Sequence, residues 1–275
     1  MHADKPPWAP GDVDPTKPSV ARVYDYYLGG SHNFESDRQF ADEVIRSMPE
    51  IVQVARDNRR FLGRVVRFEC ARGVDQFLDL GSGIPTVGNV HEVARAANPR
   101  ARVVYVDHDP IAVTHSQALL AGEELVTAIP GDVRHPDRVL ADALATGLLD
   151  LSRPIAVLML SLLHFIADAD RPVELIGEYL CAAAPGSALA LSHGRHDESS
   201  VAYRAARVYR ERPISPSSVH LRSRAEIGGL LGGLELVDPG LVEMPCWRPE
   251  PAEDGVLSVL PLDGYPFLAA VGHKG

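Results

Sequence analysis

Lysine is almost missing from this chain. It occurs at Lys5, Lys17 and Lys274, and the other basic residues are arginines. Arginine forms no Schiff base and is a poor proton donor near neutral pH. Chemistry that needs a lysine in the folded core is therefore disfavoured, which covers pyridoxal-phosphate enzymes, P-loop NTPases and Tyr-x-x-x-Lys reductases. Cysteine is scarce as well. Cys70, Cys181 and Cys246 lie far apart with no C-x-x-C spacing, which gives no structural zinc site and fits a reducing compartment. No apolar run approaches membrane-spanning length. The opening "MHADKPPWAPGDVDPTKPS" lacks the apolar segment of a signal peptide. Positive charge is in deficit. A formal net charge of −10 gives the chain no electrostatic footprint for nucleic acid. The expectation is a cytoplasmic protein with neither membrane nor nucleic acid as partner.

What is present is an ordinary globular mixture, 45% hydrophobic and 23% charged over 275 residues. Residues 1–17 are proline-rich with few large apolar side chains and read as a disordered tail. Residues 18–75 read as a helical cap. Ser19 is expected to cap a first helix ended by Gly29 and Gly30, a second covers "ESDRQFADEVIRSM", and Pro49 opens a third. From residue 76 to 275 the period changes. Apolar runs "FLDL", "RVVYVD", "ELVTAIP", "PIAVLMLSLL" and "SALALSH" alternate with helical segments, the first of them expected at 85–97. Continuous apolar strands joined by helices imply a parallel sheet covered on both faces, doubly wound by the right-handed crossover rule. Residues 195–224 read as an insertion, a polar helix plus a Pro/Ser loop, on the substrate side. Two final strands, "ELVDPGLVEMPCW" and "YPFLAAVGH", suggest an antiparallel pair at the sheet edge.

Ligands of such sheets sit beyond the carboxyl ends of the strands. Three acids occupy those ends: Asp79, Asp107 and Asp132. After Asp79, Gly81 and Gly83 let the backbone approach a ligand without Cβ contact. A dinucleotide fingerprint would continue G-x-G-x-x-G, but Thr86 takes the third glycine position. Asp79 would also repel a pyrophosphate and attract an amino group. Asp107 is placed for ribose hydroxyls and Asp132 for an adenine amino group. Adenosine, carboxylate and ammonium together describe S-adenosylmethionine.

The stretches "SVARVYDYYLGGSHNFESDR", "LDLGSGIPTVGNVHEVA", "VVYVDHDP", "GDVRHP" and "ELVDPGLVEMPCWRP" resemble a family of S-adenosylmethionine-dependent methyltransferases common in actinomycetes. The resemblance spans about residues 18–275. It implies the α/β fold of class I methyltransferases, a mostly parallel, seven-stranded, Rossmann-like sheet with a helical N-terminal addition. It implies cofactor contacts at Asp79, Gly81, Gly83, Asp107 and Asp132, with Ser82, His108 and Val133 beside them. Ser161 is set by position against the methionine part. The resemblance supplies no methyl acceptor. A small molecule fits the acidic charge better than nucleic acid does. A non-catalytic S-adenosylmethionine-binding regulator and, less well, a nucleotide-dependent oxidoreductase are the competing readings.

Other residues carry two readings. "YDYYLGGSHNF" reads as a lid or as a packed helix–turn–helix; within it Tyr27 and Asn33 are candidates to face the site. His164 after the fourth strand is either a general base or part of the pocket wall. His193 in "SHGRHD" is a candidate base or substrate contact. His193, His196 and Asp197 together have metal-ligand types but no supporting cluster, so no metal is expected. Arg56, Arg60, Arg64 and Arg67 share a helical face and read as a solvated stripe. Trp247 and Arg248 either line the substrate mouth or seal the sheet edge.

Overall fold

The computed structural model describes residues 14–85, 88–196, 201–212, 218–250 and 261–275. Most of the expected tail, Asp197 and most of the Pro/Ser loop lie outside them. Helices α1 (Val20–Tyr27), α2 (Glu35–Ser47) and α3 (Ile51–Ala71) precede the sheet. The strands are β1 (Gln76–Leu80), β2 (Arg102–Asp107), β3 (Val126–Pro130), β4 (Ala156–Leu160), β5 (Ala188–Gly194), β6 (Glu235–Leu236), β7 (Val242–Glu243) and β8 (Phe267–His273). Between them run α4 (Val90–Ala97), α5 (Pro110–Leu119), α6 (Pro136–Ala145), α7 (Pro172–Ala182), α8 (Val201–Glu211) and α9 (Arg224–Leu230). Proline stands at the first position of α5, α6 and α7, where its missing N–H costs nothing.

The sheet order is β3-β2-β1-β4-β5-β8-β6, with β1 to β5 parallel. Alternate residues of each strand serve opposite faces. Phe77, Val103 and Leu158 face a cluster with Phe61 and Val65 of α3 and Val90 and Ala94 of α4. Leu78, Val104 and Met159 face the other way, against Val139 of α6, Leu175 and Ile176 of α7 and Ile227 of α9. Burial on both faces is why every residue of β1 and β4 is apolar or otherwise shielded. The order reverses between β1 and β4, and the helices diverge there to leave a crevice.

The last strands differ from the simple edge pair expected. β8 runs antiparallel between β5 and the outer segments, inside the sheet. The stretch expected as one strand is two pieces, β6 and β7, both pairing with β8. Pro239 and Gly240, between them, supply one missing N–H and one positive φ of 80°. The seventh strand position is thus held by two short pieces, giving eight strand segments among the described residues. The helix expected at 85–97 begins only at Val90. Asn89 takes the N-cap position and its N–H donates to Glu92 at 2.7 Å.

The arginine stripe of α3 is also not uniformly solvated. Arg64 is buried, donating to the carbonyls of Trp247 at 2.8 Å and Met244 at 2.9 Å. Arg60 pairs with Asp57 and Arg67 with Glu250. Trp247 is fully buried, edge-on to Phe61 and Phe68, so it seals the sheet edge instead of lining a mouth. Arg248 lies over the Phe68 ring. No helix among the described residues is long and apolar enough to cross a membrane.

The cap is fixed by charge in a dry place. Arg22 of α1 donates to Asp37 of α2 at 2.8 Å and to Asp109, the residue capping α5, at 3.3 Å. All three side chains are at most 6% exposed. Ser19 holds the N-cap position of α1, but its hydroxyl goes to Asp109 instead of the helix. Burial raises the Asp37 pKa, and the Arg22 guanidinium opposes that rise. Removing Arg22 leaves two buried carboxylates without their cation. Arg22→Ala should therefore lower the unfolding free energy by roughly 3–5 kcal/mol, measured by urea denaturation at pH 7. A loss below about 1 kcal/mol would mean that the triad is not what holds the cap.

Candidate functional site

A cavity of about 230 Å³ opens at the carboxyl ends of β1 to β4 and runs under α1 and α3. Asp79, Gly81, Ser82, Gly83, Asp107, His108, Asp132, Val133 and Ser161 all line it, as do Tyr27 and His164. Sequence reasoning thus gathered eleven residues that the fold brings to one surface.

The loop after β1 is shaped by backbone bonding to β2. The N–H groups of Gly81 and Ser82 donate to the Val106 carbonyl at 2.8 and 3.1 Å. Gly81 has φ of 69°, and a Cβ there would stand 2.6 Å from Leu162 Cδ1. Gly83, with φ of 66°, donates its N–H to Asp107 Oδ2 at 2.7 Å. The first glycine is thus required by both crowding and conformation, the second by conformation alone. The amide of Gly83 is spent on Asp107, so it orients that carboxylate instead of waiting for a ligand. Asp107 also accepts from the Asp109 N–H at 2.8 Å, and His108 Nδ1 lies 3.7 Å away. Burial raises the Asp107 pKa, against His108 and the two amides.

Asp79 is different. It is 6% exposed and accepts no hydrogen bond from any described residue. Burial pushes its pKa up to about 7, with Arg59 opposing and Asp107 adding to the rise. A buried carboxylate that accepts no hydrogen bond from a described residue, in a residue lining a cavity, fits a cationic ligand group. Asp132 is the most open of the three acids. Burial would raise its pKa, but the Arg134 side chain, in a two-pronged contact with Nε 3.0 Å from both oxygens, brings it below the usual range. Ser161 sits at φ of 53°, a strained value for a residue with a side chain. Its N–H donates to the Ser192 hydroxyl at 2.8 Å, which itself donates to Asn58 at 2.7 Å. Asn58 then donates to the Tyr24 hydroxyl at 3.0 Å. A hydrogen-bonded chain thereby joins the end of β4 to α3 and α1.

Two candidates do not reach the cavity. His193 is fully buried, with Nδ1 on the Gly194 carbonyl at 2.8 Å and Nε2 accepting from Arg222 at 2.9 Å. Burial lowers its pKa to about 4, so it stands neutral behind His164 and touches no ligand. Asn33 is buried in its own turn, donating to Asp25 at 2.8 Å and to the Gly30 carbonyl at 2.9 Å. No metal-binding group of three or more His, Cys, Asp or Glu occurs among the described residues. His196 is exposed and lies beside Tyr203, away from His193.

Tyr24, from the stretch read as a lid, lines the cavity too, and sequence reasoning missed Asn58, Arg59, Arg134, Phe165, Tyr209 and Phe267, all of which line it. A signal existed for the α3 members. Ile51, Ala55, Asn58, Arg59 and Leu62 fall on one face at helical spacing, next to the arginine stripe that drew attention instead. Tyr209 and Phe267 lie more than one hundred residues from the glycine loop, and no local pattern reports them.

A family model described as S-adenosyl methyltransferase matches residues 6–270. No curated protein matches the sequence. Among solved structures, a candidate methyltransferase from Thermobifida fusca is 39% identical, with a TM-score of 0.89 over 98% of this chain and 99% of its own. A DUF574-family protein from Streptomyces avermitilis is 35% identical, with a TM-score of 0.87 over 94% of this chain and 98% of its own.

The raised pKa of Asp79 has a cost in the absence of ligand. The ionised carboxylate is disfavoured in the fold, so the destabilisation is small near pH 4, grows to about pH 7 and then levels off. Asp79→Asn should accordingly raise the melting temperature of the ligand-free protein, and by more at pH 8 than at pH 5. An equal change at the two pH values, followed by calorimetry or circular dichroism, would show that Asp79 is not held in the buried state described.

Proposed function

The chain belongs to the S-adenosyl methyltransferase family, and from that premise we propose that it transfers the methyl group of S-adenosylmethionine to a small-molecule acceptor held under the N-terminal helices. The observation that carries this reading is the unpartnered carboxylate of Asp79 beside the glycine loop. It suits the ammonium of the methionine part. Asp107, held by two backbone amides, suits the ribose hydroxyls. The side chains of Val133 and His108 would flank the adenine and ribose, with Asp132 at the outer end already engaged by Arg134. Ser82 and Ser161 line the same cavity as Asp79. When bound, the cofactor supplies an electrophilic methyl carbon on a sulfonium. The residues around it have only to align the acceptor and exclude water.

In this reading residues 18–75 act as the lid, with Tyr24 and Tyr27 of α1 forming the cavity roof. The segment 195–224 is the substrate-side element, because Tyr209, Ser218 and His220 reach the same cavity. The three free thiols support a cytoplasmic setting. A binding protein without activity would need the methyl position blocked. The cavity is lined by His164 and Tyr209 as well as by Ser161, which supports room for an acceptor. The nucleotide-dependent oxidoreductase is not supported, since a pyrophosphate would meet the buried Asp79 carboxylate.

Calorimetric titration tests the reading directly. S-adenosylmethionine should bind in the micromolar range and NADH should not. Asp107→Ala should weaken binding by at least 100-fold. Equal affinity for NADH, or an unchanged mutant, would end the proposal. The pH dependence follows from Asp79. An ammonium needs the ionised carboxylate, so affinity should fall about tenfold per pH unit below pH 7, and Asp79→Asn should flatten that slope while weakening binding at pH 8.

A further inference from the structure

The cavity is divided by chemistry. Its ionic groups gather toward one end: Asp79 with Arg59, Asp107 with His108, and Asp132 with Arg134, which also feels Asp170. The other end is walled by rings. Tyr27 and Tyr209 bring their hydroxyls to 3.5 Å. Tyr209 lies 5.9 Å from Phe165, Phe165 lies 4.5 Å from His164, and His164 stands edge-on to Phe267 at 5.5 Å. All five residues line the cavity. Among the described residues, the lining carboxylate closest in sequence to these rings is Asp170, which interacts with Arg134.

His164 is 6% exposed, and no described residue hydrogen-bonds to its ring. Its Nδ1 is buried without a partner. A buried ring nitrogen left unpaired costs free energy, and the His164 residue lines the cavity. Burial, His193 and Arg222 hold the ring far below the usual histidine range, so it is neutral, with a ring nitrogen able to accept a hydrogen bond from a hydroxyl. The one guanidinium behind this wall is committed elsewhere. Arg222 donates to the carbonyls of Leu163 and Ile166, to Asp168 and to His193.

Resting on the methyltransferase reading above, we propose that the acceptor is an uncharged aromatic molecule bearing a hydroxyl group, packed against Tyr27, Phe165, Tyr209 and Phe267, with His164 receiving the hydroxyl proton. Stacked and edge-to-face contacts favour a planar ring. A carboxylate there would be desolvated, and Arg222 behind His164 is already paired with Asp168. A quaternary ammonium would gain from the ring faces, but no described carboxylate is ion-paired or hydrogen-bonded at these rings to meet it, since Asp168 is taken by Arg222. In the reaction the acceptor oxygen forms a bond to the methyl carbon, and the carbon–sulfur bond breaks with its electron pair going to sulfur. The hydroxyl proton passes to His164 and from there to solvent. The products are the methyl ether, S-adenosylhomocysteine and a released proton.

The test uses the full chain saturated with S-adenosylhomocysteine, titrated with phenol, 2-naphthol and 2-anthrol and with analogues carrying a carboxylate or a trimethylammonium in place of the hydroxyl. At least one hydroxy-arene should bind tenfold or more tightly than both charged analogues. Tyr209→Leu should weaken that binding at least tenfold while leaving S-adenosylhomocysteine affinity within twofold. With S-adenosylmethionine in place of the product, methyl ether should form, detected by mass spectrometry. His164→Gln should cut its rate at least 100-fold with acceptor binding retained, and should remove the low-pH limb of the rate profile. Charged analogues binding equally well, or no hydroxy-arene binding to a protein that does bind S-adenosylhomocysteine, would overturn this proposal and leave the methyltransferase reading intact. Failure to bind S-adenosylhomocysteine at all would overturn both.

Discussion

Everything at the site depends on one cation placed between two buried carboxylates. Arg22 ties α1 to α2 through Asp37 and to the start of α5 through Asp109. Asp109 follows Asp107 by two residues and donates its N–H to that carboxylate. The same short segment therefore anchors the roof of the cavity and orients one of its acids. Breaking a buried pair by removing one partner is far costlier than never having built it. A surface contact of the same geometry would be worth little. Burial is what makes this one a constraint, and it means that the roof and the floor of the cavity move as a unit at Arg22.

The second constraint is a conflict left unresolved in the empty protein. Asp79 is buried beside Asp107 with no hydrogen bond from a described residue, and its pKa rises to about 7 as a result. Functional positions commonly hold groups that the fold alone would not tolerate. Asp107 has been given two amides, and Asp132 an arginine. Asp79 has been given nothing comparable, so it is the acid that gains most from a cationic ligand group. His164 repeats the pattern at the other end of the cavity, as a buried ring with an unpaired nitrogen.

The parts of the fold legible in the sequence are those written in local periods. Apolar strands alternating with helices announced the parallel sheet, and acids at successive strand ends announced where the cavity opens. All the acids and glycines so chosen do line it. Local pattern fails where tertiary partners decide. Arg64 lies in a surface-like stripe but is drawn inward by two carbonyls 180 and 183 residues away. His193 has the sequence context of a strand-end ligand contact, yet Arg222 from a distant turn claims it. The aromatic half of the cavity is assembled from α1, the turn after β4, α8 and β8, and no window of sequence contains more than one of these.

The place of β8 in the sheet has a consequence for the order of assembly. Its seven residues pair along the whole of β5 on one side and with β6 and β7 on the other. β5 ends at Gly194 and β8 begins at Phe267. As the chain emerges from the ribosome, the parallel half can form while the apolar β5 edge still waits for a neighbour made some seventy residues later. An unpaired strand edge rich in apolar residues is a template for pairing with other chains. The slow, vulnerable interval in the life of this protein should fall there, between the completion of β5 and the arrival of β8, rather than at the cofactor loop where its chemistry is concentrated.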